Sequence, residues 1–171
     1  MSHIGVRTAD VSFSQWYASA AGPLQTTLYV VTRDAELAEE ATAEAFARAY
    51  ANWSKVRDME SPSGWVYTVA LNLLRRWQTR RAMEQRYLSR IEQPREAFVP
   101  PELDDEIWSA VRELPVRART AIGLRYIADL SEAEIARVMG ISRGTVAATL
   151  SKARSRLAIG LAPSYEGCVA R

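Results

Sequence analysis

The sequence predicts an all-α protein built from two small helical domains joined by a flexible linker. Three observations predict it. Apolar residues recur at helical spacing along most of the chain, with no sustained apolar/polar alternation and no Asn-Gly or Asp-Gly hairpin signal. Alanine, the strongest helix former, fills 27 of the 171 positions. The one proline-rich interruption holds Pro94, Pro100 and Pro101, which sets a linker over 92–102 between blocks at 12–91 and 103–160, with 161–171 as a tail.

In the first block, residues 13–32 read as a helix with Trp16, Leu24, Leu28 and Val31 facing a core, and Pro23 is expected to split it. Asp34 is placed to cap a second helix running through residue 53. On that helix Glu36, Glu40 and Glu44 lie four apart, Glu44 and Arg48 form an i,i+4 pair, and Phe46, Tyr50 and Trp53 supply bulk on the other side. A polar break at 54–61 ends in Ser61-Pro62, an N-cap followed by proline at the first helical position. The helix it opens is expected to reach residue 91, with Val66, Val69, Ala70, Leu73, Leu74 and Trp77 as its buried stripe.

The second block reads as four short helices. Acidic Glu102, Asp104, Asp105 and Glu106 suit the positive N-terminal end of the first, and Pro115 begins the second. Ser131-Glu132-Ala133-Glu134 is a capping box for the third, and Ser142 caps the fourth. Between the last two lies Gly140-Ile141-Ser142, the short glycine-containing turn of a helix-turn-helix.

Charge is segregated although the net charge is only +2. Residues 34–44 carry five acids and no base, residues 63–90 a surplus of five arginines, and residues 142–157 four bases and no acid. Separate acidic and basic faces imply separate partners, the basic ones suited to a polyanion. The single cysteine, Cys168, excludes an internal disulfide, and the one histidine, His3, leaves no metal or Cys-His constellation, so no cofactor and no enzymatic activity are expected. No run approaches the roughly 18 apolar residues of a membrane span and the N-terminus lacks a signal-peptide pattern, so a cytoplasmic protein without membrane insertion is expected.

The second helix of the helix-turn-helix exposes Arg143, Thr145, Ala148, Thr149 and Lys152, with Arg154 and Arg156 further on. A helix fits the major groove, where arginine reads guanine and a threonine methyl touches thymine; Lys152 and Arg156 are better placed for phosphates. A helical hairpin with a merely solvated basic face is the plainer alternative.

At this point the chain resembles a family, the extracytoplasmic-function (ECF) group of bacterial RNA polymerase sigma factors in the sigma-70 family. In the second block the resemblance rests on Leu114-Pro115-x-Arg117-x-Arg119, Leu124-Arg125-Tyr126, Leu130-Ser131-x-x-Glu134-Ile135-Ala136, Gly140-Ile141-Ser142-x-Gly144-Thr145-Val146 and Ala153-Arg154-x-Arg156-Leu157, which are similar to the family's region 4. In the first it rests on Ala38-Glu39-Glu40, Glu44-Ala45-Phe46-x-Arg48-Ala49 and Trp65-Val66-Tyr67-x-Val69-Ala70-x-Asn72-Leu73, similar to region 2.

The resemblance implies an alternative sigma factor. Glu39, Glu40, Glu44, Phe46 and Arg48 would dock on the β′ clamp helices of core RNA polymerase, with the β flap as a further polymerase contact. Ser61, Trp65, Tyr67, Asn72, Arg75, Arg76 and Arg80 would read the −10 promoter element. The helix-turn-helix residues already named, Arg143 to Arg156, would read the −35 element. An anti-sigma protein is a further partner of the kind the family uses. The chain departs from the family at Ala147, Ala148 and Thr149, where basic or polar groups are common, and at Ala43, where glutamine is. An ordinary helix-turn-helix regulator with a dimerising or effector-binding first block is the competing reading; it predicts palindromic half-sites and binding without polymerase.

Overall fold

A computed structural model describes residues 12–85 and 106–166. Among them there is no strand, and eight helices follow one another: α1 Phe13–Thr32, α2 Ala35–Ala51, α3 Trp53–Val56, α4 Pro62–Gln85, α5 Glu106–Arg112, α6 Val116–Tyr126, α7 Glu132–Met139 and α8 Arg143–Glu166. The all-α expectation holds, with differences at particular residues. Pro23 sits inside an uninterrupted α1, because Leu24 and Leu28 on either turn beyond it are fully buried and hold the helix in place. Asn52 ends α2 earlier than expected, and the supposed polar break opens with the short helix α3. α8 runs to Glu166, through the beginning of the segment read as a tail. The linker at 92–102 and the expected helix end at 86–91 lie outside the described residues.

Local chemistry sets the helix ends. Ser12 and Gln15 form a capping box on α1, and the Asp34 carboxylate accepts the Leu37 amide at 2.9 Å to start α2. Ser61 accepts from the Gly64 amide at 3.0 Å to start α4, Ser131 and Glu134 form the capping box of α7, and Ser142 accepts from the Thr145 amide at 3.1 Å to start α8. Gly140 ends α7 at φ 66°, a left-handed conformation that glycine adopts without strain.

The core passes through both blocks. α1 packs on α2 and also on α6, while α4 packs on α2 and also on α7. Leu28, Tyr29, Val30 and Val31 are buried in succession, so α1 is enclosed on more than one side. Within the second block, Leu124, Ile135, Val146 and Leu150 fix the angle between α7 and α8. Arg119 joins the blocks: its Nη1 donates to Arg112 O at 2.7 Å, at the end of α5, and its Nη2 to Val31 O at 2.9 Å, in the last turn of α1. A guanidinium there meets the negative ends of two helices.

Leu28 is fully buried. Leu28→Ala should therefore lower unfolding stability by about 2–5 kcal/mol, read from the urea midpoint at unchanged m-value.

Candidate nucleic-acid and polymerase interfaces

Three surfaces follow from the helix geometry. The first is the outer side of α2. Glu39, Glu40 and Arg48 are exposed and Glu44 is half-buried, tied to Arg48 by an Oε1–Nε contact of 2.7 Å. Phe46 is not on this surface, which corrects the sequence reading. It is buried under the aromatic start of α1, with ring centroids 5.1 Å from Trp16 and 4.9 Å from Tyr17. Phe46 shares the side of α2 that carries Glu39, and only the position of α1 decides that it is covered. Its contribution is to hold α2 against α1.

The second surface runs along α4. At about 100° per residue, Trp65, Asn72, Arg76 and Arg80 fall within one sector and Arg75 flanks it. Asn72, Arg75, Arg76 and Arg80 are exposed, and Arg75 Nη1 donates to Asn72 Oδ1 at 3.0 Å. Tyr67 does not join them, a second correction. It stands five residues from Asn72, about 140° round the helix, and is buried with its hydroxyl 3.5 Å from Thr27 Oγ1. Burial pushes its phenol up to about 12 despite that contact. The angular offset was available in the sequence.

Ser61 and Trp65 stand at the N-terminal end of this surface. They line a cavity of about 220 Å³ with Met59, Glu60 and Gly64, and its far wall is Glu134, Arg137 and Val138 of α7. Ser61 Oγ donates to Glu134 Oε1 at 2.6 Å. Gly64 makes room for that hydroxyl, since a Cβ there would lie 2.9 Å from it. The other oxygen, Glu134 Oε2, accepts from Ser131 N at 2.9 Å and Ser131 Oγ at 2.7 Å. One carboxylate thus faces the N-terminal ends of α4 and α7. Burial opposes its ionisation, but hydrogen bonds from Ser61 and Ser131 and the charge of Arg137 outweigh it and hold Glu134 below the usual carboxylate range. Sequence reasoning gave Glu134 only its capping role; its tie to Ser61 joins residues far apart in the chain and left no local signal.

The third surface is the outer side of α8. Thr145, Ala148, Thr149, Lys152 and Arg156 share one strip; Ala148, Lys152 and Arg156 are exposed and the two threonines half-buried. Thr149 Oγ1 donates to Thr145 O at 2.7 Å, which leaves its methyl for contact. Arg143 and Arg154 project from a different side of the helix. Arg143 Nε lies 3.6 Å from Glu132 Oε2, and Arg154 Nε donates to Leu150 O at 3.3 Å.

A helix-turn-helix carried beside a helical block with its own acidic and cationic surfaces defines a two-module DNA-binding protein. Comparison with known proteins narrows this. Residues 16–83 match the family described as Sigma-70 region 2, and residues 104–157 that described as Sigma-70, region 4. The ECF RNA polymerase sigma factor SigW of Bacillus subtilis is 30% identical, over 70% of this chain and 73% of its own. RNA polymerase sigma-H factor of Pseudomonas aeruginosa is 27% identical, over 76% of each chain. In fold, the chain is similar to the sigma factor RpoE crystallised with the anti-sigma factor NepR from Bartonella quintana, with a TM-score of 0.71, 20% identity, and coverage of 87% of this chain and 96% of that one. The chain belongs to the sigma-70 family of RNA polymerase sigma factors, in its ECF group, whose members direct promoter-specific transcription initiation. No helix among the described residues is long and apolar enough to cross a membrane.

A carboxyl held below its ordinary range stabilises the fold above that range, and the contribution is lost as pH falls through the folded-state value. Urea midpoints taken from pH 7 to pH 3 should therefore fall more steeply for the wild type than for Glu134→Gln below about pH 5, with the two curves flat relative to each other above it.

Proposed function

We propose that the chain acts as an alternative sigma factor through three divided surfaces: α2 for core RNA polymerase, α4 with its preceding loop for the −10 element, and α8 for the −35 element. The observation that carries this is the single strip on α4 where an aromatic ring, an asparagine and three arginines meet. Promoter opening requires groups that hold an unstacked base together with cations that hold phosphates. Trp65 offers the ring, Asn72 a donor and acceptor for a base edge, and Arg75, Arg76 and Arg80 the cations.

Glu39, Glu40, Glu44 and Arg48 form the surface for the β′ clamp helices. On α8, Arg143, Thr145, Ala148 and Thr149 face base edges while Lys152, Arg154 and Arg156 meet phosphates, and the second block also meets the β flap. The alanines at 147 and 148 leave this helix with few cations, so upstream binding depends only weakly on salt, by about one unit of slope per phosphate contact.

The blocks at 12–91 and 103–160 are the two reading modules and 92–102 the tether that lets both engage at once. The work is done by binding energy rather than covalent chemistry, in the cytoplasm, with an anti-sigma protein as a further partner. A dimeric regulator is disfavoured because it gives no role to the α4 strip.

The double reversal Glu40→Lys/Glu44→Lys should abolish co-elution with core polymerase while far-ultraviolet circular dichroism stays unchanged; retained co-elution removes the α2 assignment. Arg143→Ala/Thr145→Ala should reduce initiation several-fold at promoters that carry an upstream element and little where it is absent. Equal loss on both removes the α8 assignment.

A further inference from the structure

We propose that the free chain closes on itself, with α7 of the helix-turn-helix covering the loop that opens α4, and that this closure masks the entrance to the −10 surface while leaving the −35 surface open. The inference rests on the assignment of α4 and its loop to the −10 element.

The seam between the blocks is built from specific contacts. At one end, Glu134 takes the Ser61 hydroxyl at 2.6 Å, and Arg137 Nη1 meets Glu60 Oε2 at 2.8 Å. At the other, Arg119 Nη2 holds Val31 O at 2.9 Å and Arg33 Nη2 meets Glu113 Oε1 at 3.1 Å. Between them α6 lies against α1 at Gly123, where a Cβ would stand 3.1 Å from Thr27 Cγ2. Thr27 is fully buried and its hydroxyl donates to Pro23 O at 2.8 Å, so it has nowhere to yield.

Masking is selective. Ser61 and Trp65 face α7 across the shared cavity, whereas Asn72, Arg75 and Arg76 remain exposed, as do Ala148, Lys152 and Arg156 on α8. A base cannot reach the Ser61 end of α4 until α7 leaves.

Closure is also incompatible with holding both elements at once. A compact chain of this length has a diameter on the order of 40 Å. Sites about 25 base pairs apart on B-DNA are on the order of 80 Å apart. The 20 residues between Gln85 and Glu106 can span at most about 70 Å when extended, enough to open the gap once the blocks part.

The seam is suited to opening. Its ion pairs are exposed and so weak, and Arg119 Nε is buried without a hydrogen-bond partner. Binding of the first block to polymerase therefore needs to overcome only a modest closing energy.

Gly123 supplies a wedge that touches neither DNA surface. In the full-length chain with Cys168→Ser, spin labels at Ala18 and Ser155 should report one short distance in the free protein and a longer, broader distribution when core polymerase is added. Gly123→Leu should give the long distribution without polymerase. It should also bind a fluorescein-labelled non-template strand, taken from a promoter recovered by run-off selection, about tenfold more tightly, because apparent affinity scales with the open fraction. Its affinity for the upstream duplex should not change.

Should Gly123→Leu fail to fold, the charge swap decides. Glu60→Arg and Arg137→Glu should each open the chain and the double variant re-close it. The proposal is overturned if the free wild type already shows the long distribution, or if opening brings no gain in strand binding. Loss of initiation by wild type and wedge variant alike, with core present, counts instead against the −10 assignment, and the distances still decide closure.

Discussion

α1 has more apolar surface than one neighbour can cover. Four consecutive residues, Leu28 to Val31, are buried, and a helix buried over so wide an arc must pack on two sides. α2 takes one side and α6 takes the other. Every contact between the blocks depends on that second packing. It sets Thr27 against Gly123, brings Arg119 onto the last carbonyls of α1, and places α7 over the loop before α4.

This arrangement ties recognition to conformation. The α4 strip and the α8 strip are each complete on one helix, so neither needs the other block to form. What the contact between blocks controls is access. Glu134 shows how economical the coupling is: the carboxylate that caps α7 also engages the hydroxyl that caps α4. Two helix N-termini, each favouring a negative charge, share one. Parting the blocks leaves each cap able to complete itself with water, so the two modules can separate without unfolding.

Much of the fold was legible in the sequence because helix ends are local. Asp34, Ser61, Ser131, Gly140 and Ser142 cap or terminate the helices they were expected to. Pro23 was misread, since burial of its neighbours outweighed the lost hydrogen bond. Of the site residues, those on single-helix strips could be read by angle alone, and Tyr67 should have been excluded on that ground. Phe46 could not, because its burial depends on where another helix lies. The tie between Ser61 and Glu134 crosses 73 residues of sequence and leaves no local trace.

The central claim, that this chain redirects RNA polymerase to particular start sites, is tested most directly by run-off transcription of a genomic library with purified core enzyme, mapping the 5′ ends. The account predicts a discrete set of start sites that appear only when the chain is added and that share sequence near −10 and −35. An unchanged set of ends with and without the chain would contradict it.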